Sequence, residues 1–208
     1  YVDEDSSADF SQSWVLFNEA TDGAGIQIDG GYLSMENALV VWNDAEDDGG
    51  GILVLDGELV STNVTGSGGD ADDGTELFLT DDSIVTMKNV ILYGQRSASV
   101  VYGDSSTLLD QVFSNVYNGT GGITISGTND NTGVNGNLAV DPLFNALSDD
   151  SDVSNDDWGL APPASTLDSH SRATTMPMAP PMTWGPLADR IPSGKTEARV
   201  SRRLPCSA

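Results

Sequence analysis

Four tetrapeptides constrain this chain more than anything else in it: Met35-Glu36-Asn37-Ala38, Ser61-Thr62-Asn63-Val64, Met87-Lys88-Asn89-Val90 and Phe113-Ser114-Asn115-Val116. Their asparagines, Asn37, Asn63, Asn89 and Asn115, follow one another at 26 residues. A fixed period of about 20 to 50 residues marks a solenoid, in which each unit buries its apolar face only by stacking on its neighbours. The flanking positions read as columns. One place after Asn stand Ala38, Val64, Val90 and Val116; two places before it stand Met35, Ser61, Met87 and Phe113; four before it stand Leu33, Leu59, Val85 and Gln111. Asparagine suits a tight corner because its short amide tolerates the left-handed backbone and bonds locally. Corners stacked at the ~4.8 Å strand spacing let each amide bond to the next, as a ladder.

Each repeat parses into three short strands separated by Gly/Asp turns. In the first, Asp22-Gly23-Ala24-Gly25 is a turn, Ile26-Gln27-Ile28 a strand, Asp29-Gly30-Gly31 a turn and Tyr32-Leu33-Ser34-Met35 a strand. Asn37 then makes the corner before Ala38-Leu39-Val40-Val41-Trp42. The second repeats the plan from Asp48 to Asn63, and a Gly/Asp insertion from Gly66 to Gly74 precedes the third. No segment keeps a helical period. The expected fold is all-β, a right-handed parallel β-helix of about five coils of ~26 residues. Residues 1–10 are read as a lead-in or truncated coil, 11–169 as the β-helix with its closing segment, and 170–208 as an irregular tail.

The coils with Asn corners are followed by Asn137-Leu138-Ala139-Val140-Asp141-Pro142-Leu143-Phe144, Asp157-Trp158-Gly159-Leu160 and Ala164-Ser165-Thr166-Leu167-Asp168. In this order the chain resembles the right-handed parallel β-helix repeat proteins of bacterial surfaces and secretions, of pectate-lyase-like fold. The last element departs from that family's closing motif, having neither its Ser-Pro nor its final glycine. The Phe-Ser-Asn and Gly-rich elements also resemble, more weakly, the repeats of polymorphic outer-membrane proteins. The resemblance covers residues 11–169 and implies a secreted or cell-surface location.

Charge limits the partners. Residues 1–169 carry 30 acids against Lys88 and Arg96 alone, a net charge of −28. That argues against nucleic acid and anionic membranes as partners and favours calcium ions, neutral glycans or other cell-surface components. Nothing resembles a signal peptide or a membrane span, and a chain that opens on Tyr1 is read as a processed product or an internal fragment. The single cysteine, Cys206, lies in the tail, so no disulfide supports the repeats.

The resemblance brings polysaccharide lyases and glycoside hydrolases into consideration. A uronate lyase needs a basic residue to take a proton, and only Lys88 and Arg96 are present, in a field that repels acidic substrates. A hydrolase needs two carboxylates. Asp56 and Asp82, 26 residues apart, fall in one column, at a spacing near the ~5 to 5.5 Å of a retaining pair. In a chain so rich in acidic turns such a pair also arises by chance, so both are weak catalytic candidates. Calcium is the better site hypothesis. Asp22 and Asp48 are in phase, and Asp47, Asp70, Asp72 and Asp73 lie in neighbouring turns, while calcium takes six to eight oxygen ligands. No EF-hand spacing is present, and solvated acidic turns are the simpler alternative. Trp14, Trp42 and Trp158 are candidates for a sugar platform or for core filling. His170 stands alone. Asn63-Val64-Thr65 and Asn118-Gly119-Thr120 match the glycosylation sequon. The reading is a non-catalytic surface or secreted repeat module, adhesive or glycan-binding. Its alternative is a carbohydrate-active enzyme whose site lies partly outside this segment.

The tail changes character abruptly. Residues 170–208 hold six of the eight basic residues, six of nine prolines and three of five methionines. Read one base out of phase, the single-codon residues Met176, Met178, Met182 and Trp184 force Ala, Gly, Asp and Gly. These fall where the resembled family carries its Asp-x-Asp-Gly…Asp-Met-Gly-Ala run. The tail is accordingly expected to be a frame-shifted reading of that closing run.

Overall fold

The computed structural model describes residues 1–148 and 155–160. Among these, Tyr1–Pro142 form one compact unit, and the residues from Leu143 onward belong to a second. The closing segment 164–168, His170, the tail 170–208 and Cys206 lie outside the described residues.

Every described regular element is a strand, and the first unit is a parallel β-solenoid of about five turns. Sheet 1 stacks Ser7–Ser11, Tyr32–Glu36, Glu58–Thr62, Ile84–Lys88 and Leu108–Val112. Sheet 2 stacks Trp14–Leu16, Leu39–Val41, Thr65–Ser67, Ile91–Gly94 and Asn115–Asn118. Sheet 3 stacks Ile26–Asp29, Ile52–Leu55, Leu77–Thr80, Val101–Gly103 and Ile125–Ser126. The strands are short because each must turn a corner, and alternate residues point inward. Sheet 1 sends in Leu33, Leu59, Val85 and Leu109, sheet 2 Val40, Leu92 and Val116, and sheet 3 Ile28, Val54 and Leu79. All are buried in one continuous core.

The corners after sheet 1 hold the asparagines. Asn37, Asn63 and Asn89 have φ of 54°, 55° and 54°, the left-handed region. Asn63 Nδ2 donates to Asn37 Oδ1 at 3.1 Å, and Asn89 Nδ2 to Asn63 Oδ1 at 3.2 Å. Asn115 does not continue this column. The steps along sheet 1 run Ser7 to Tyr32, Tyr32 to Glu58, Glu58 to Ile84 and Ile84 to Leu108, so the last coil is two residues shorter than the two before it. Phe113, at φ 52°, therefore takes the fourth corner, packed over Gly136. Asn115 lies in sheet 2 beside Ile91. The short coil also moves Gln111 into line with Met87, and Val116 into line with Leu92. Asn63→Ala would remove two ladder bonds and leave a residue with no amide at positive φ. We expect a loss of about 2 kcal/mol in urea melts, with Asn63→Gly losing less.

The last coil ends on side-chain amides. Leu109 N–H donates to Asn129 Oδ1 at 2.9 Å, and Asn131 Nδ2 donates to Leu109 O at 3.2 Å. Ser114 N–H donates to Asn137 Oδ1, whose Nδ2 donates to Gln111 O at 2.6 Å. Asn115 exchanges both bonds with the Val140 backbone. Carboxamides thus stand in for a further strand and blunt an edge that would otherwise template pairing.

In the second unit Phe144–Ala146 pairs antiparallel with Asp157–Leu160. The Phe144 and Trp158 rings meet edge to face at 5.6 Å. The two elements that carried much of the family resemblance are therefore partners.

Candidate functional site

Between sheets 2 and 3 the first three coils throw out a small side lobe. Glu19–Ala20 pairs with Asp44–Ala45, and bridges join Asp44 to Asp70 and Asp48 to Asp73. Ala24, Ala45 and Ala71 fill a small core of its own. Alanine suits this place because the lobe is too thin for larger side chains.

The lobe gathers the acids considered for calcium. Asp22, Asp48 and Asp73 stack: Gly23 N–H donates to Asp48 O, Gly49 N–H to Asp73 O, and Asp48 N–H approaches Asp22 Oδ1 at 3.4 Å. Asp72 N–H donates to Asp47 O at 2.7 Å. Partial burial raises the Asp48 carboxyl above its ordinary pKa, helped by the like charges of Asp73, Asp22, Asp47 and Asp72. Yet among the described residues no three Asp, Glu, His or Cys side chains are arranged to hold a metal ion. The stack brings Asp22, Asp48 and Asp73 to one edge, as the spacing suggested.

Arg96, one of two basic side chains among the described residues, lies at the neighbouring edge. Its Nε reaches Asp70 Oδ2 at 3.2 Å, both groups about half exposed. Around this pair runs an open groove of about 430 Å³ lined by Asp70, Asp72, Gln95, Arg96, Ser97 and Thr120 among others. The wall is shared by three stretches from successive coils. Gln95 Nε2 donates to Ser67 Oγ at 3.1 Å, and Thr120 Oγ1 lies 2.9 Å from Arg96 O and 2.7 Å from Asn118 Oδ1. The Tyr93 and Tyr117 rings, immediately before two of these stretches, stack at 6.2 Å with 7° between their planes. A second outward stack, Phe78 on Tyr102 at 4.9 Å, runs along sheet 3.

The remaining candidates are dispersed. Leu55 pairs with Thr80, but Glu58 pairs with Ile84, so the turn between them gains one residue in the third coil. Asp56 N–H donates to Thr80 O, which sets Asp81 above it, and Asp82 is the added residue. Both Asp56 and Asp82 are exposed, and the column that would have made them a catalytic pair does not form. Lys88 is exposed on the outer face of sheet 1, in line with Glu36 and Thr62. Trp14 sits in sheet 2, Trp42 turns a corner against Gly68, and Trp158 belongs to the second unit, so no shared platform arises within the solenoid. Asn118 is buried, with its amide donating to Ala98 O and Ile123 O, and Asn63 is held in the ladder.

One acid carries no motif in the sequence and yet stands out in the fold. Glu76 is 2% exposed, behind the segment from Gly66 to Gly74. That segment is not the insertion the sequence suggested: Gly66 pairs with Val40 and Asp73 bridges Asp48, so the stretch follows the second coil and is one residue shorter. Glu76 Oε1 accepts the Gly69 N–H at 3.0 Å and its Oε2 has no partner in the protein. Burial pushes its pKa up to about 8, against the lowering effect of the Gly69 bond. The available signal was positional: Glu76 stacks on Gly25 and Gly51, a column otherwise built of glycine in the first coils. No protein family matches the chain, and comparisons with curated proteins and with solved structures return no match.

Proposed function

We propose that the chain is a non-catalytic β-solenoid module of a secreted or cell-surface protein, akin to the parallel β-helix proteins of bacterial surfaces, and that it binds neutral glycans. The observation that carries this reading is the groove built from three successive coils, whose single cation is already paired with Asp70. A groove that crosses three coils offers a chain-like ligand contacts on each of them. Carboxylate, amide, guanidinium and hydroxyl groups offer the donors and acceptors that sugar hydroxyls need, and the Tyr93–Tyr117 stack supplies an aromatic surface beside them. The acidic field of the coils opposes nucleic acid and anionic polymers. The exposed, unaligned Asp56 and Asp82 give no support to glycoside hydrolysis.

Calorimetric titration with a panel of neutral oligosaccharides tests the proposal. Binding is expected without release of reducing ends, weakened about tenfold by Arg96→Ala, since a hydrogen bond to a charged group contributes roughly 1.5–3 kcal/mol. Absence of binding across the panel overturns it. Product release that disappears in Asp56→Asn or Asp82→Asn makes the chain an enzyme instead.

A further inference from the structure

The segment from Gly68 to Gly74, which leaves sheet 2 after Ser67, forms one wall of the groove through Asp70 and Asp72. Its backbone is bonded to the second coil at Asn43, Ala45, Asp47 and Gly49, and its inner side faces Glu76. Gly68, at φ 74°, lies so close to the Trp42 ring that a Cβ would meet it at 2.4 Å. Gly69 is pressed on the Thr75 carbonyl, where a Cβ would stand 2.0 Å from the oxygen. The Gly69 N–H points to Glu76 Oε1. Ideal Cβ atoms on Gly69 and Gly66 would come within 3.3 and 3.5 Å of Glu76 Oε2, so glycine at both places leaves room for the carboxyl group. The turn is shaped around that group.

Nothing around Glu76 compensates a negative charge. Gly51 and Ile52 lie on one side, with Ile52 N–H donating to Glu76 O, and Ser99 and Val100 on the other, with Glu76 N–H donating to Val100 O. Gly66 and Gly69 close the third side. None of these residues titrates. The nearest charges along the chain, Asp73 and Asp72, are carboxylates too, Asp73 accepting a hydrogen bond from Ser99 Oγ, so they do not offset a second negative charge. A carboxylic acid is tolerated here with one accepted bond, whereas a carboxylate needs water or a cation.

We propose that Glu76 is a proton-dependent latch: as a neutral acid it helps hold the Gly68 to Gly74 turn closed over the coil, and as a carboxylate it loosens that turn and opens the groove wall. The closed state binds the proton more tightly than the open one, its pKa raised from 4.5 to about 8. Closure is therefore fully favoured below the ordinary carboxyl range and weakens as pH rises towards about 8, where the dependence levels off. The release does not depend on what the groove binds. The loss of glycan affinity that accompanies it rests on the function proposed above.

Hydrogen exchange of the full chain, read by mass spectrometry from pH 5 to 9 and corrected for intrinsic rates, tests the latch. Protection of the peptide spanning residues 66–74 should fall by up to about tenfold per pH unit across the window, while the peptide spanning 84–88 stays unchanged. Glu76→Gln, which keeps the acceptor but cannot ionise, should abolish the dependence. Identical profiles in the two proteins, or protection that does not change with pH, overturn the latch. Should Glu76→Gln not fold, the carboxyl carbon shift of Glu76 in the unaltered chain decides: a midpoint in the ordinary carboxylate range overturns the latch, and one raised well above it supports it. Segment release without glycan binding at any pH upholds the latch and removes the proposed ligand.

Discussion

Val90→Asp should yield a chain with no cooperative thermal transition and a collapsed β-sheet signal in circular dichroism. Val90 is 2% exposed and stands inward, in line with Val64 below it and Ser114 above. Its neighbours in the column, Val64 and Ser114, offer no counter-charge, and Ser114 Oγ already accepts the Val90 N–H at 3.2 Å. An unpaired buried carboxylate costs on the order of 5 kcal/mol, as much as the whole stability of many domains at ~5–15 kcal/mol. A solenoid also fails as a unit, because each coil is buried only by its neighbours. A melting curve shifted by only a degree or two would show that Val90 does not face the core.

Gly51→Val should be nearly as damaging, for a steric reason. A Cβ at Gly51 would stand 2.5 Å from Glu76 O and 3.2 Å from Glu76 C and Cα, all backbone atoms of the next coil. Backbone held by the stack cannot step aside, so the two coils must part or the corner must rebuild. We expect a loss of about 3 kcal/mol, the upper end of what overpacking causes. Gly121→Ala is the contrast. Gly121 has positive φ, 78°, but a methyl group added there would meet nothing within 4 Å, so its replacement should cost only the ~1 kcal/mol of backbone conformation. Urea melts of the two variants compare them directly, and equal losses would contradict the close stacking at Gly51.

Much of the fold was legible because one repeat fixes many columns. The spacing of Asn37, Asn63 and Asn89 placed three corners, and with them the inward positions of Leu33, Leu59 and Val85. The fourth coil was not legible from the same spacing. A slip of two residues preserves the alternation of inward and outward side chains, so Val116 looks apolar in either register and is buried in the one it adopts. The polar Gln111, which fits poorly as an equivalent of Leu59, was the one clue. It is the equivalent of Met87, buried, with its Nε2 unpartnered within the protein. The added residue in the turn at Asp81 and Asp82 is concealed in a similar way, since adjacent aspartates hide an insertion. Glu76, between Thr75 and Leu77, gives no local signal because most acids in this chain are solvated. Its burial depends on how the Gly68 to Gly74 turn folds over it, which no local pattern dictates. The groove was likewise invisible, being formed by residues 70–72, 95–98 and 120, which only the coil geometry brings together.

The stacking register is the central claim, and nuclear Overhauser contacts across sheets 1 and 2 measure it most directly. Parallel strands ~4.8 Å apart bring amide and α protons of paired residues within range. The register predicts contacts joining Lys88 with Val112 and Ile91 with Asn115, together with Tyr32–Glu58 and Glu58–Ile84 in the coils before them. Contacts joining Lys88 with Ser114 and Ile91 with Tyr117 instead would restore the uniform 26-residue step and place Asn115 on the ladder, and a pattern of antiparallel contacts would contradict the solenoid altogether.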